Sequence, residues 1–221
     1  MAASILIIVT SHDQIDEQHR TGLWFEEFAV PYSLFKQQGY EVTVASPRGG
    51  DTPIDPQSLE NYEATPENEA AKTALKQLPP LNEQLSADDF DVVFFPGGHG
   101  TMFDLPDNTQ VQRLIKAFHE QGKVIAAVCH GPACLVNVEL NNGAPLVQGK
   151  HVTAFTDSEE HAVELDQAMP FLLQTKLQKQ GARFESAADW QDNVVVDGLL
   201  VTGQNPQSSA STASAVIKLL S

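Results

Sequence analysis

This chain of 221 residues has little of several things, and each scarcity excludes a class of protein. It carries only two cysteines, Cys129 and Cys134. Their spacing is wrong for a CxxC redox pair, and two thiols are too few for a disulfide scaffold. Basic residues are scarce: 13 Lys and Arg stand against 29 Asp and Glu, a formal net charge of −16. No basic run occurs, and so acidic a surface repels nucleic-acid phosphates and anionic lipid headgroups. Neither nucleic acid nor membrane is an expected partner. No apolar run approaches the ~20 residues of a membrane-spanning helix. The opening MAASILIIVTSHD lacks a basic stretch ahead of its short apolar run, and it reads as a strand, not an export signal. A reducing cytoplasm is the expected compartment.

An apolar fraction of 42% supplies a core, and the length suits one domain at roughly 100–200 residues each. Ser4–Thr10 is a continuous run rich in Ile and Val, the pattern of a strand buried on both faces. Trp24–Gln38 has apolar residues at helical spacing, with Pro31 as a kink candidate and Gly39 as the C-terminal stop. Strands are expected at 41–47, 91–95, 123–128, 149–155, 182–184, 194–196 and 199–202, with Asp197-Gly198 as a hairpin turn. Helices are expected at 108–121, 159–165, 169–181 and 209–220. Residues 48–86 read as an insertion, a Gly/Pro/Asp loop followed by a segment of good helix formers. Alternating strands and helices imply right-handed βαβ units. The expected fold is therefore α/β, a doubly wound, mostly parallel sheet in one domain. Such sheets bind ligands beyond the carboxyl ends of their strands. That places the loop after Thr10, the PGGHG turn at 96–100 and Cys129 in one region.

AAVCHGPA, residues 126–133, takes a hydrophobic strand straight into Cys-His-Gly-Pro. This is the layout of a nucleophile elbow, in which a tight turn lifts the side chain clear of the sheet. A helix starting there aims its N-terminal dipole at the sulfur and favours thiolate, the nucleophilic form. Against this stands the habit of free cysteines to be buried and inert, which is the reading kept for Cys134. His130 is a candidate acid–base or a helix cap. Glu26, Glu27, Glu159 and Glu160 lie early in helices and, on residues alone, read as solvent-facing carboxylates favoured by the dipole. GGHG lacks the Lys and Ser/Thr of a phosphate loop. His99 has no partner at metal spacing, and HAVEL at 161–165 is not HExxH, so no metal is expected.

TGLWFEEFAVPY, FFPGGHGTMFDLP, AAVCHGPA, FTDSEE and VTGQNPQSSASTA, in this order and spacing, resemble the ThiJ/PfpI superfamily. That superfamily has the class I glutamine amidotransferase-like, flavodoxin-like sandwich. The nearest branch is similar to the glutathione-independent glyoxalases and related small stress chaperones. The resemblance implies that Cys129 is the nucleophile, with His130 its adjacent histidine. It implies that Glu27 sits against the sulfur, that Glu160 orients the histidine, and that Gly98 and the His130 backbone form an oxyanion hole. Trp24, Met102 and Phe155 are candidate pocket lining. The implied activity converts a 2-oxoaldehyde such as methylglyoxal to a 2-hydroxy acid without a cofactor, in a homodimer. Two other functions use the same features. A holdase chaperone or oxidation sensor would use an exposed apolar patch or an exposed, low-pKa thiol. An amidase or deglycase-type hydrolase would use the same cysteine, but amidotransferases of this fold rely on a His-x-Glu pair near the C-terminus. This chain has no histidine after His161.

Overall fold

The computed structural model describes residues 2–221. Its main sheet has six strands: β1 (Ser4–Ile8), β2 (Glu41–Ala45), β3 (Val92–Phe95), β4 (Val124–Val128), β7 (Val194–Asp197) and β8 (Leu200–Gly203). The order is β2-β1-β3-β4-β8-β7, parallel throughout except for the β7–β8 hairpin at one edge. The remaining strands, β5 (His151–Val152) and β6 (Arg183–Phe184), form a separate parallel pair. The expected strands at 149–155 and 182–184 are thus shorter and lie outside the main sheet. The doubly wound α/β expectation holds.

Alternation along the strands divides the core in two. Leu6 and Ile8 of β1, Val93 and Phe95 of β3, and Ile125 and Ala127 of β4 face one side. Ile5 and Ile7, Val92 and Phe94, and Val124, Ala126 and Val128 face the other. This two-residue period of a pleated strand explains why every position is apolar: each face is covered by helices. The first face is covered by α4 (Thr109–Glu120), whose Val111, Leu114, Ile115 and Phe118 recur at helical spacing and are fully buried. Asn108 starts α4 by accepting the N–H groups of Gln110 and Val111, and Gly122, at φ 62°, ends it. The second face is covered by α1 (Phe25–Gln37), through Phe28 and Phe35, and by α7 (Ser209–Leu220), through Ala213 and Val216.

Helix α1 runs unbroken through Pro31. Residues 48–86 pack against α1 and against both cores. They carry a 3-10 turn at Pro56–Leu59 capped by Asp55, then α2 (Pro66–Ala74) capped by Thr65, and they send Ala71, Leu75 and Leu78 into the second core. The short α3 (Thr101–Asp104) follows the PGGHG turn. The expected helix at 159–165 begins earlier, as α5 (Asp157–Ala162), because Thr156 and Glu159 form a capping box at its start. The one expected at 169–181 shortens to α6 (Leu173–Lys179). Among the described residues no helix is long and apolar enough to cross a membrane.

Candidate active site

Strand β4 stops at Val128, and Cys129 takes the left-handed backbone conformation, φ 61°. A non-glycine residue held there stores roughly 1–3 kcal/mol of strain. The surroundings hold it in place: Cys129 N–H donates to Gly203 O at 2.9 Å, and its carbonyl accepts Phe155 N–H at 2.9 Å. Gly131 is required two residues on, because a Cβ there would lie 2.2 Å from the Phe95 carbonyl oxygen. The sequence Cys-His-Gly thus forms an elbow tucked against the end of β3.

The thiol departs from expectation. The segment after it, Gly131–Leu135, is a five-residue 3-10 turn, with too little aligned backbone to supply a helix dipole. Cys129 is also buried. Burial and the neighbouring Glu27 push its thiol well above the ordinary range.

Glu27 stands in the first turn of α1, not in solvent but fully buried. Trp24 N–H donates to Gly97 O at 3.2 Å, which ties the start of α1 to the PGGHG turn. Gly97 N–H then donates to Glu27 Oε2 at 2.7 Å. The other oxygen, Oε1, is buried with no protein partner. Burial raises the carboxyl from an ordinary 4.5 to about 8, although contact with Cys129 and the Gly97 N–H pull it down. Glu26, its neighbour, is exposed at the mouth.

On the other flank, His130 Nδ1 lies 3.4 Å from Cys129 Sγ, and His130 Nε2 is 2.7 Å from Glu160 Oε2. Glu160 is buried, not solvent-facing, and its other oxygen, Oε1, is 2.7 Å from His99 Nε2. Against burial, which would raise it, the two imidazoles hold the Glu160 carboxyl well below its ordinary range. Burial and His99 lower the His130 pKa. The His99 and His130 rings sit 4.1 Å apart between centroids. Glu159, one residue away, does separate work. Its Oε2 accepts from Thr156, while its Oε1 accepts from Trp190 N–H, Gln204 and Asn205. This pins the start of α5 and so fixes where Glu160 points.

His99, His130 and Glu160 also present ligand atoms within 4.8 Å of one another, the spacing of a metal site. A cation between them would have to displace both histidine–carboxylate hydrogen bonds. Gly98, at φ 98°, lies so close to Gly22 that a Cβ would meet its oxygen at 2.2 Å. The N–H groups of Gly98 and His130 make no backbone hydrogen bond among the described residues.

These groups open into a pocket of about 180 Å³, below the ~300–1,000 Å³ of drug-sized sites. Trp24 and Phe155 line it, as do Gly98, Cys129 and His130. Met102 does not. The turn that lifts Gly98 and His99 to the pocket carries Met102 downward into the first core, beside Phe95 and Leu105. Lining residues that escape sequence reasoning include His99, Trp190 and Gln57. His99 follows Gly98 directly, but its partner Glu160 is 61 positions away and no spacing connects them. Gln57 comes from the 48–86 segment, which thereby reaches the rim of the pocket.

Fold and site define a class: an α/β sandwich with a cysteine on a strained elbow, a buried carboxyl beside the sulfur and a His–Glu pair across from it. A model of the DJ-1/PfpI family matches residues 22–219, and the chain belongs to that family. Glyoxalase 3 of Candida albicans is 33% identical over 228 residues, 96% of both chains. The glutathione-independent glyoxalase hsp3101 of Schizosaccharomyces pombe is 35% identical, over 90% of this chain and 87% of its own. Among solved structures, glyoxalase III from Candida albicans superposes with a TM-score of 0.88 at 31% identity, over 98% of this chain and 96% of that one. The Rapid Encystment Protein 24 KDa of Francisella tularensis superposes with a TM-score of 0.93 at 34% identity, over the whole of both chains.

Proposed function

We propose that this protein is a cofactor-free, glutathione-independent glyoxalase that converts small 2-oxoaldehydes such as methylglyoxal to 2-hydroxy acids. The observation that carries this reading is the pairing at Cys129. A proton acceptor, His130 Nδ1, stands 3.4 Å from the sulfur, which lines a small pocket, and a buried, protonatable carboxyl, Glu27, adjoins it from beneath. An isomerisation needs both groups: one to free the nucleophile and one to move a hydrogen between neighbouring carbons.

The steps balance without an outside oxidant. The Cys129 S–H proton passes to His130, the sulfur adds to the aldehyde carbon C1, and His130 returns the proton to the new C1 oxygen. Ionised Glu27 then takes the C1 hydrogen as a proton. The released electron pair forms a C1=C2 bond, and the C2 oxygen, having gained the carbonyl pair, takes a proton to give an enediol. Glu27 returns its proton to C2 while the C1 oxygen loses one, leaving a 2-hydroxyacyl thioester on Cys129. Water cleaves the thioester, and sulfur leaves with a proton. Gly98 and His130 N–H groups, free of backbone partners, suit the developing oxyanion. The net change is internal oxidation of C1 and reduction of C2, plus water. We assign the chain one domain with an insertion at 48–86, a cytoplasmic setting, and a homodimeric state.

Burial of Cys129 weighs against a thiol that senses oxidants from solution. Of the exposed large hydrophobics among the described residues, Val163 and Trp190 line the pocket, Val196 and Leu199 share the β7–β8 hairpin, and Leu219 lies on α7. The test is lactate formation from methylglyoxal without glutathione or added metal. Wild type should yield lactate and Cys129→Ser none; equal yields would remove Cys129 from the reaction.

A further inference from the structure

The reaction moves two sorts of proton. Glu27 carries the one bound to carbon. The C2 oxygen must gain a proton as the enediol forms, and the C1 oxygen must lose one as the thioester forms. Oxyanion-hole N–H groups stabilise charge but do not travel. His130 already serves the sulfur and the C1 oxygen beside it; with its Nε2 on Glu160 and its ring buried, it is poorly placed to serve the C2 oxygen as well.

His99 has the missing geometry. Its Nε2 is anchored 2.7 Å from Glu160 Oε1, which fixes the ring and leaves Nδ1 as the working nitrogen. Nδ1 makes no hydrogen bond among the described residues, and it is not among their buried, unpartnered atoms. His99 lines the pocket beside Cys129. One ionised carboxylate therefore holds two imidazoles side by side, one reaching the sulfur and the other open to the substrate cavity. The other titratable lining group, Glu26, sits exposed at the mouth.

We propose that His99 is a second acid–base residue of this site, donating its Nδ1 proton to the substrate C2 oxygen and recovering one from the C1 oxygen. This rests on the glyoxalase reading. With its Nε2 held on Glu160, His99 gives up one Nδ1 proton when the C2 carbonyl becomes an enediol hydroxyl. It regains one when the C1 hydroxyl becomes the thioester carbonyl, so the site returns to its starting charge. Glu160 thus serves two histidines with different tasks.

The test uses His99→Ala and His99→Gln, with lactate formation from methylglyoxal, the rate of Cys129 alkylation by iodoacetamide and thermal melting as readouts. Gln keeps an N–H donor for Glu160 but cannot carry a proton. Both variants should lose about a hundredfold or more of kcat, the usual weight of acid–base catalysis, with Cys129 alkylation unchanged. Added imidazole should restore turnover to His99→Ala. Wild-type turnover in His99→Gln would overturn the proposal and reduce His99 to a prop for Glu160. A parallel loss of alkylation would overturn it too, by showing that His99 acts through Cys129. No lactate from wild type would instead sink the glyoxalase reading itself, an outcome separate from either.

Discussion

Burying a carboxyl as completely as Glu27 favours its neutral form, and this links stability to activity. Its folded value is about 8 against an ordinary 4.5. Between those limits the folded chain holds a proton that the unfolded chain has released. Stability from this group is therefore fully present below about 4.5 and is lost as pH rises toward 8. Glu27→Gln removes the dependence. Denaturant melts at pH 5 and pH 8 should show the variant gaining on wild type by a few kcal/mol at the higher pH, while its lactate formation disappears. If the variant kept full activity, the carbon-to-carbon proton transfer would belong elsewhere. Because the base must be ionised, wild-type kcat should rise with pH through the region of 8 and then level off, in a pH–rate profile measured on the intact enzyme. The residue pattern alone gives no hint of this burial; it was the family resemblance that set Glu27 against the sulfur. Glu26 and Glu27 are indistinguishable as letters, and only the tie between Trp24 N–H and Gly97 O turns one inward and leaves the other in solvent.

The element that matters most is the elbow between β4 and the turn at Gly131–Leu135. Here local sequence and tertiary contact agree: a hydrophobic strand, then Cys-His-Gly-Pro. The glycine is demanded by the neighbouring strand, because the Phe95 carbonyl occupies the space of any Cβ at 131. Gly131→Ala should force β3 and β4 apart locally, cost about 1–3 kcal/mol as overpacking does, and displace Cys129 from His130 and Glu27. Thermal melting and the iodoacetamide alkylation rate check this together; an unchanged alkylation rate would show that the elbow tolerates the shift. A second element, α5, shows how a capping residue serves a site. Glu159 spends both oxygens on Thr156, Trp190, Gln204 and Asn205, and its neighbour Glu160 is thereby held against two histidines. The capping pattern is readable in Thr156-x-x-Glu159, but the contacts to 190, 204 and 205 are not, because they join segments far apart in the chain.

At the scale of the whole molecule, two cores flank one sheet, and the catalytic groups gather at the carboxyl ends of β3 and β4 and the start of α1. The first core contributes no residue to the pocket lining. Phe118→Ala on α4, a fully buried ring, should cost about 3–5 kcal/mol. Its kcat/KM measured well below the lowered melting temperature should stay near wild type. A matching fall in kcat/KM would mean that the first core and the pocket are mechanically coupled.

The sequence by itself determined the α/β alternation, the strand that ends at Cys129 and the helices of both faces. Each of these is written in a local period or a local turn. Only the tertiary structure decided which carboxylates are buried, that Met102 belongs to the core, and that the pair at 151–152 and 183–184 stands apart from the main sheet. It alone brought His99 and His130 to one carboxylate. The physical reason is the same in each case. Burial and hydrogen-bond partners depend on segments tens to more than a hundred residues apart meeting at one sheet edge, and no local pattern encodes that meeting.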